Sequence, residues 1–327
     1  MTTEVLAPAA AEPAIAPSGG AKIVLPQVIV DAGPSAVARF LEFFAGRIAN
    51  ARTRAAYGRA VGQFLGWCEA RGFGLRDVSP LHVAAYIRTH PGSAPTVKQH
   101  LAAIRMLGDW LVVSQVLPVN PAAAVRGPKH VVTKGATPVL SPAEARKLLA
   151  SIDMGALAGL RDRALLSVML YSFARVSAVL GMRRQDYFGQ ANRAWLRLHE
   201  KGGKRHDVPA HHRAAAALDA YVEAGGLEEP KTALFQTVDP AGRRLTGRAL
   251  DRRLVLAMIK RRAAAAGLPP STCCHTFRAT GITAYLSNGG TLEHAQQIAG
   301  HASPKTTKLY DRTADTVTVD EIERIVI

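Results

Sequence analysis

Arg175, Lys201, His275, Arg278, His301 and Tyr310 are, by type and order, a set of side chains that could break a phosphodiester bond. Doing so without a metal has three requirements. Charge on two non-bridging oxygens must be neutralised, the leaving 5′ oxygen must be protonated, and a nucleophile must stand in line. Arginine suits the first through its planar, permanently charged fork. Lysine or histidine suits the second, and a tyrosine hydroxyl can serve as the third. His275-Thr276-Phe277-Arg278 sets a histidine and an arginine three apart, on one face of a helix opening after Pro269-Pro270. Gly300-His301 follows, with Tyr310 nine residues beyond the histidine. Each part is common by itself. A His-x-x-Arg pair is ordinarily a surface pair, and a tyrosine is ordinarily a half-buried core residue; only their combination carries weight.

The elements that must position these groups are mostly helical. Phe40, Leu41, Phe44 and Ile48 share one helix face, and Tyr57, Val61, Phe64, Leu65 and Cys68 a second, ending near Gly72. Ser79-Pro80 opens a third helix through Val83, Tyr86 and Ile87, with an N-cap followed by proline in the first turn. A fourth begins at Thr96 and runs through Leu101, Ile104, Leu107 and Leu111. Residues 34–120 thus form a small helical domain, preceded by an Ala/Pro/Gly-rich leader over 1–33, read as mobile. A linker over 121–138 carries Pro121, Pro128 and Pro138 with the basic Lys129, His130 and Lys134.

The second domain spans 139–327. Ser141-Pro142-Ala143-Glu144 is a capping box. Periodicity predicts a helix from Arg161 to Leu180, with Arg175 near its end. Residues 195–208 alternate like strands around Gly202-Gly203, placing Lys201 on a hairpin that also holds Lys204, a competing proton donor. Helical patterns resume from His212, Thr246 and His275. Ser303-Pro304 starts a short helix that delivers Tyr310. The expected fold class is mainly α with a small β-sheet.

The chain's 327 residues carry 41 Lys and Arg against 25 Asp and Glu, a net +16. The excess lies in both presumptive domains and not in the leader, which favours a polyanionic partner. Runs such as Leu254 to Ile259 are far too short to span a bilayer, so no membrane partner is expected. The three cysteines, Cys68, Cys273 and Cys274, form neither a disulfide framework nor a zinc pattern. His206, His211 and His212 lack nearby acids at ligand spacing, and neither metal nor other cofactor is expected. With no basic n-region or apolar h-region at the N-terminus, the expected compartment is the cytoplasm.

Taken in order, Arg175, Lys201, His275-x-x-Arg278, Gly300-His301 and Tyr310 resemble the catalytic signature of the tyrosine recombinase, or phage integrase, family. The flanks are similar too: Ala174-Arg175-x-Ser177, Lys201-Gly202-x-Lys204, Thr306-Thr307, Thr53-Arg54-x-x-Tyr57 and Asn120-Pro121. The resemblance covers about residues 35 to 315. It implies a two-domain, C-shaped clamp around duplex DNA, with an N-terminal core-binding domain. It implies that Arg175 and Arg278 clamp the scissile phosphate and Lys201 protonates the 5′ oxygen. His275 would assist proton handling, His301 would hydrogen-bond the phosphate, and Tyr310 would form a 3′-phosphotyrosyl link. Inverted half-sites, a homotetramer on DNA, accessory DNA-bending proteins and service to a mobile genetic element belong to the same expectation. Arg52, Arg54, Lys129, Lys134, Arg243, Arg244, Arg248 and Arg252 are candidate DNA contacts. The tail from Val319 through Ile322 to Ile325 and Val326 is a short apolar stripe suited to packing within the chain or on a neighbour.

One departure stands out. Members of the family usually carry an acid three positions after the first arginine, where this chain has Ala178; Asp186 is a candidate substitute. Two rival readings follow: a DNA-binding architectural protein without catalysis, and the same chemistry turned to relaxation or resolution.

Overall fold

In a computed structural model the chain divides into two units, Met1–Val131 and Val132–Ile327. The structure describes residues 25–130, 135, 137–200 and 203–311. Lys134, Lys201 and the apolar stripe of the tail lie outside the described residues.

The first unit is helical, with α1 (Gln27–Asp31), α2 (Pro34–Glu42), α3 (Ala51–Glu69), α4 (Pro80–Thr89) and α5 (Ala94–Val113). Asn50 caps α3, its side chain accepting from the Arg52 and Thr53 amides at 3.0 and 3.1 Å. Phe40, Phe43 and Phe44 meet edge to face inside the core, with Val61, Phe64, Leu65, Leu101, Leu107 and Leu111 around them. Two boundaries differ from expectation. Val28 and Ile29, at the end of the leader, are buried in this core on α1. Residues Ala122 and Val125, expected in the linker, are buried there as well. The Arg105 guanidinium donates to both their carbonyls, and Asn120 donates to the Arg105 carbonyl and the Asp109 carboxylate. Pro-rich composition signalled the turn but not the polar bonds that fasten it.

The second unit holds α6 (Pro142–Ala150), α7 (Leu157–Tyr171), α8 (Val176–Leu180), β1 (Tyr187–Gln190), β2 (Arg193–His199), β3 (Arg205–Pro209) and α9 (His212–Ala224). These are followed by β4 (Gln236–Val238), β5 (Leu245–Ala249), α10 (Arg252–Ala265), α11 (Cys274–Ser287), α12 (Leu292–Ala299) and α13 (Pro304–Lys308). The predicted capping box forms, with Ser141 and Glu144 bonding each other's amides at 2.8 and 3.2 Å. Strands β1, β2 and β3 make an antiparallel sheet in that order. Ala191 and Asn192, both left-handed, turn the first hairpin, a two-residue loop whose twist matches its strands. Leu196, Leu198 and Val208 bury the inner face of the sheet in the same core as α7 and α9. Asp162 on α7 is buried and accepts from Arg161 and from Arg262 of α10 at 2.7 and 2.9 Å, fixing α10 to α7.

Two further expectations are corrected. The segment from Thr246 is a strand, β5, paired with β4; the β-branched Thr246 and Gly247 at a positive φ of 77° suit an irregular edge, and the helix starts only at Arg252. The predicted helix over 161–180 is broken into α7 and α8, and that break builds part of the site.

Candidate active site

Helix α7 ends because Ser172 turns its hydroxyl back onto the Val168 carbonyl and Phe173 adopts a φ of 54°. Left-handed backbone at a bulky residue is disfavoured, so the buried packing of the Phe173 ring must hold it there. The reversal has two results. It leaves Arg175 in extended conformation, at the N-cap of α8. It also presents the Phe173 carbonyl to the guanidinium of Arg278, which donates to it through Nη1. Arg278 Nη2 donates to the Ala299 carbonyl at 2.7 Å, at the end of α12.

Arg278 is 1% exposed, the largest side chain among the described residues to be buried so completely. Burial pulls its guanidinium down to about 10, helped by the positive charge of Arg175 and opposed by Tyr310 and Glu200. It therefore remains a cation at neutral pH inside the core. Helix α11 sits close enough for this because residue 281, one turn beyond Arg278, is glycine. A methyl there would collide with the Leu170 carbonyl oxygen and lie 2.7 Å from the Phe173 ring.

His275, one turn before Arg278 on α11, places Nε2 2.8 Å from the Tyr310 hydroxyl. The tyrosine is 8% exposed. Its amide donates to the Thr307 carbonyl at 2.9 Å, and its own carbonyl accepts from Thr283 of α11 at 3.0 Å. His301 follows Gly300, whose φ of 59° ends α12 in the left-handed turn that glycine makes at least cost. The His301 Nδ1 lies 2.8 Å from the Thr307 hydroxyl, and its ring is nearly parallel to that of Tyr310, centroids 6.0 Å apart. Burial pushes His301 down to about 3, with Arg278, Arg175 and His275 contributing in that order. His275 is lowered by burial first, then by Arg278, Arg175 and Arg252. Both imidazoles are therefore neutral at pH 7, and the cations beside them among the described residues are arginines.

Five of the six chemistry-bearing residues, Arg175, His275, Arg278, His301 and Tyr310, are thus brought together, and Lys201 lies outside the described residues. Sequence reasoning missed three contributors, the Phe173 and Ala299 carbonyls, which fix Arg278, and Glu200; Thr307, noted only as a flank of the motif, fixes His301. The Glu200 carboxylate accepts from Arg175 Nη1 at 2.5 Å. Asp186, the candidate substitute for an acid at 178, does not take that role. Its carboxylate accepts from the Arg183 amide at 2.8 Å and lies 3.1 Å from His199 Nε2. Ala178 is itself buried in the core of the unit.

Of the candidate DNA contacts, Arg52, Lys129, Arg243, Arg244, Arg248 and Arg252 are exposed. Arg252 lies near enough to His275 to lower it. The Arg54 guanidinium is engaged within the chain, donating to the Ile48 and Ala49 carbonyls at 3.0 and 3.3 Å. His206 Nε2 donates to the Ile298 carbonyl and His211 stacks on Tyr171, so neither ring faces the other's partner. Among the described residues no group of three or more His, Cys, Asp or Glu is arranged to hold a metal ion. No helix among them is long and apolar enough to cross a membrane.

Solved structures of similar fold include DNA-bound recombinases. The post-cleavage complex of the XerH site-specific recombinase with a palindromic difH substrate aligns at a TM-score of 0.65 and 19% identity, covering 80% of this chain and 76% of that one. A lambda integrase dimer bound to a COC′ core site aligns at 0.64 and 19%, covering 86% and 79%. At that identity the likeness shows the fold. Sequence goes further. Residues 138–316 match the model of the phage integrase family. Tyrosine recombinase XerC of Chlamydia muridarum is 32% identical over 221 residues, 67% of each chain. XerC of Xanthomonas campestris pv. campestris is 31% identical over 288 residues, 86% of this chain and 84% of its own. The chain belongs to the phage integrase family.

Proposed function

We propose that this protein is a tyrosine-type site-specific recombinase that cuts and rejoins duplex DNA through Tyr310. The observation that carries the reading is the 2.8 Å approach of His275 Nε2 to the Tyr310 hydroxyl, with Arg278 one turn along the same helix. A neutral His275 protonated on Nδ1 accepts the phenolic proton through Nε2 as the tyrosine oxygen attacks phosphorus. A free phenol titrates near pH ~10 and is a weak nucleophile, so this base and the surrounding positive charge supply its activation. Arg278 and Arg175 neutralise the non-bridging oxygens. Arg278 Nε carries a buried hydrogen with no partner among the described residues, a donor that an anionic oxygen would satisfy. With Thr307 donating to Nδ1, His301 keeps its proton on Nε2 and can donate to the phosphate. The bond from phosphorus to the 5′ oxygen breaks as the tyrosine–phosphorus bond forms, and Lys201 supplies the proton to the leaving oxygen. One phosphate diester replaces another of similar energy, so the cycle runs in both directions without a nucleotide or metal cofactor.

The substrate in this reading is double-stranded DNA with inverted half-sites, acted on by a homotetramer, with DNA-bending accessory proteins assisting. The relatives support it: one solved structure is a lambda integrase tetramer bound to a Holliday junction, and the XerH substrate is palindromic. Work on chromosomal or mobile-element DNA places the protein in the cytoplasm. Incubation with a nicked half-site from which the short 5′ product diffuses away tests the chemistry. Wild-type protein should accumulate a denaturation-resistant adduct mapping to Tyr310, in EDTA as well as without it. Tyr310→Phe should bind equally and form none. An adduct on another residue, or one that survives Tyr310→Phe, would end this reading.

A further inference from the structure

The chain's one acid touching Arg175, among the described contacts, is not on its own helix but on the hairpin. Glu200 follows the last residue of β2, immediately before Lys201 in sequence, and its amide donates to the Lys204 carbonyl at 2.8 Å, continuing the ladder beyond the His199–Arg205 pair. Its side chain is almost fully buried, 5% exposed, whereas the Arg175 side chain is 36% exposed. The buried member of an ion pair is the one whose place is set by its surroundings, so Glu200 fixes Arg175 and not the reverse. A methyl on Gly300 would lie 3.6 Å from Glu200 Cγ and 3.7 Å from the His206 ring, so the glutamate side chain runs across the turn that delivers His301. One residue therefore meets the arginine arm, the histidine turn and the base of the hairpin.

We propose that Glu200 is a positioning residue that aims Arg175 at the scissile phosphate, supplying from the hairpin the carboxylate that Ala178 does not. Arg175 has five N–H donors in a fixed plane. A carboxylate holding one edge orients the remaining donors, and a loose guanidinium would have to be ordered during the reaction instead. The inference rests on the reading of the site as a tyrosine transesterase.

The test separates Glu200 acting through Arg175 from Glu200 acting only through the lysine hairpin. Single-turnover cleavage is measured for wild type, Glu200→Gln, Glu200→Ala and Glu200→Asp, on ordinary nicked DNA and on DNA with sulfur at the 5′-bridging position. Sulfur leaves without protonation, so that substrate no longer needs the lysine. Glu200→Gln and Glu200→Ala should cleave ordinary DNA about 10- to 100-fold more slowly, the usual cost of losing a group that orients a reacting one. Their affinity for DNA should change less than about threefold, because Arg175 stays present and charged. The defect should persist on the sulfur substrate, and Glu200→Asp, which keeps the charge, should recover part of the rate. Full rescue by sulfur would overturn the proposal and leave Glu200 a support for the hairpin. Faster cleavage or tighter DNA binding by Glu200→Gln would overturn it too, by showing that the pair restrains the enzyme. Unchanged rates in all variants, with the wild-type adduct on Tyr310 intact, would sink this inference while sparing the function. Absence of any wild-type adduct would instead sink the function.

Discussion

Arg278 and Arg175 bring the same guanidinium to one site from opposite kinds of surroundings. Arg278 lies inside the core and is pinned by two neutral carbonyls, from Phe173 and Ala299, that belong to different elements. Arg175 stands at the margin and is held by one carboxylate on a hairpin. Neutral partners cannot be titrated and do not compete with an incoming phosphate for charge, so the core side is fixed before DNA arrives. An ionised partner shares the arginine with the phosphate, so the hairpin side responds to what is bound. The site thus joins a rigid half to an adjustable one, and each half can be perturbed separately.

The sharpest way to break this contrast is at Arg278. Arg278→Ala should lower cleavage about a thousand-fold, as expected for losing a preorganised donor at developing negative charge. It should also destabilise the unit, because each carbonyl left buried without a donor costs about 1–3 kcal/mol. Arg278→Lys should rescue little, since a single ammonium cannot span two diverging carbonyls and a phosphate. Cleavage kinetics with thermal unfolding on the same samples decide the matter; a lysine variant within about tenfold of wild type would mean that the pinning is incidental.

A smaller effect should appear with pH. His301 sits at about 3 in the folded protein against its ordinary 6.5, so between those values the unfolded chain binds the extra proton. Its contribution to stability is complete above about pH 6.5 and is lost as pH falls toward 3, with a slope of about 1.4 kcal/mol per pH unit for one such group. His275 is shifted in the same direction and adds to the same loss. Unfolding midpoints measured from pH 7 down to 5 should therefore fall, and His301→Gln should flatten the decline. A profile that rises toward pH 5 would contradict the buried, neutral histidines described here.

The least effect belongs to single surface cations. Arg243→Ala, Arg244→Ala or Arg248→Ala should each weaken DNA binding alike on every sequence and lower the slope of log affinity against log salt by about 1. Arg54→Ala should hardly change that slope, because its guanidinium is occupied by the Ile48 and Ala49 carbonyls, and should instead loosen the start of α3. Salt titrations of the four variants would rank them; an Arg54 slope change as large as the others would mean that it releases those carbonyls to reach phosphate.

How far sequence carried the description differs between the two halves. His275, Arg278, His301 and Tyr310 were visible because side-chain type and order alone define them. The capping box at Ser141 and the helical faces of the first unit were visible from local signals. The break before Arg175 was not. Apolar residues keep their helical period through Leu170, Val176, Val179 and Leu180, and a phenylalanine gives no warning of left-handed backbone. Nor was Glu200 visible as a partner of Arg175, because 25 residues separate them and only the closed hairpin brings them together. The leader's burial of Val28 and Ile29 depends on packing against a core that a five-residue helix does not announce.

Gly281 gives the rigid half a silent dependency. It bears no functional group and lies a full turn from Arg278, yet α11 can rest on the end of α7 only while that position lacks a side chain. In a screen of random variants scored by recombination alone, position 281 would rank with the catalytic residues. A map of the active site drawn from such a screen would include an atom that is required to be missing.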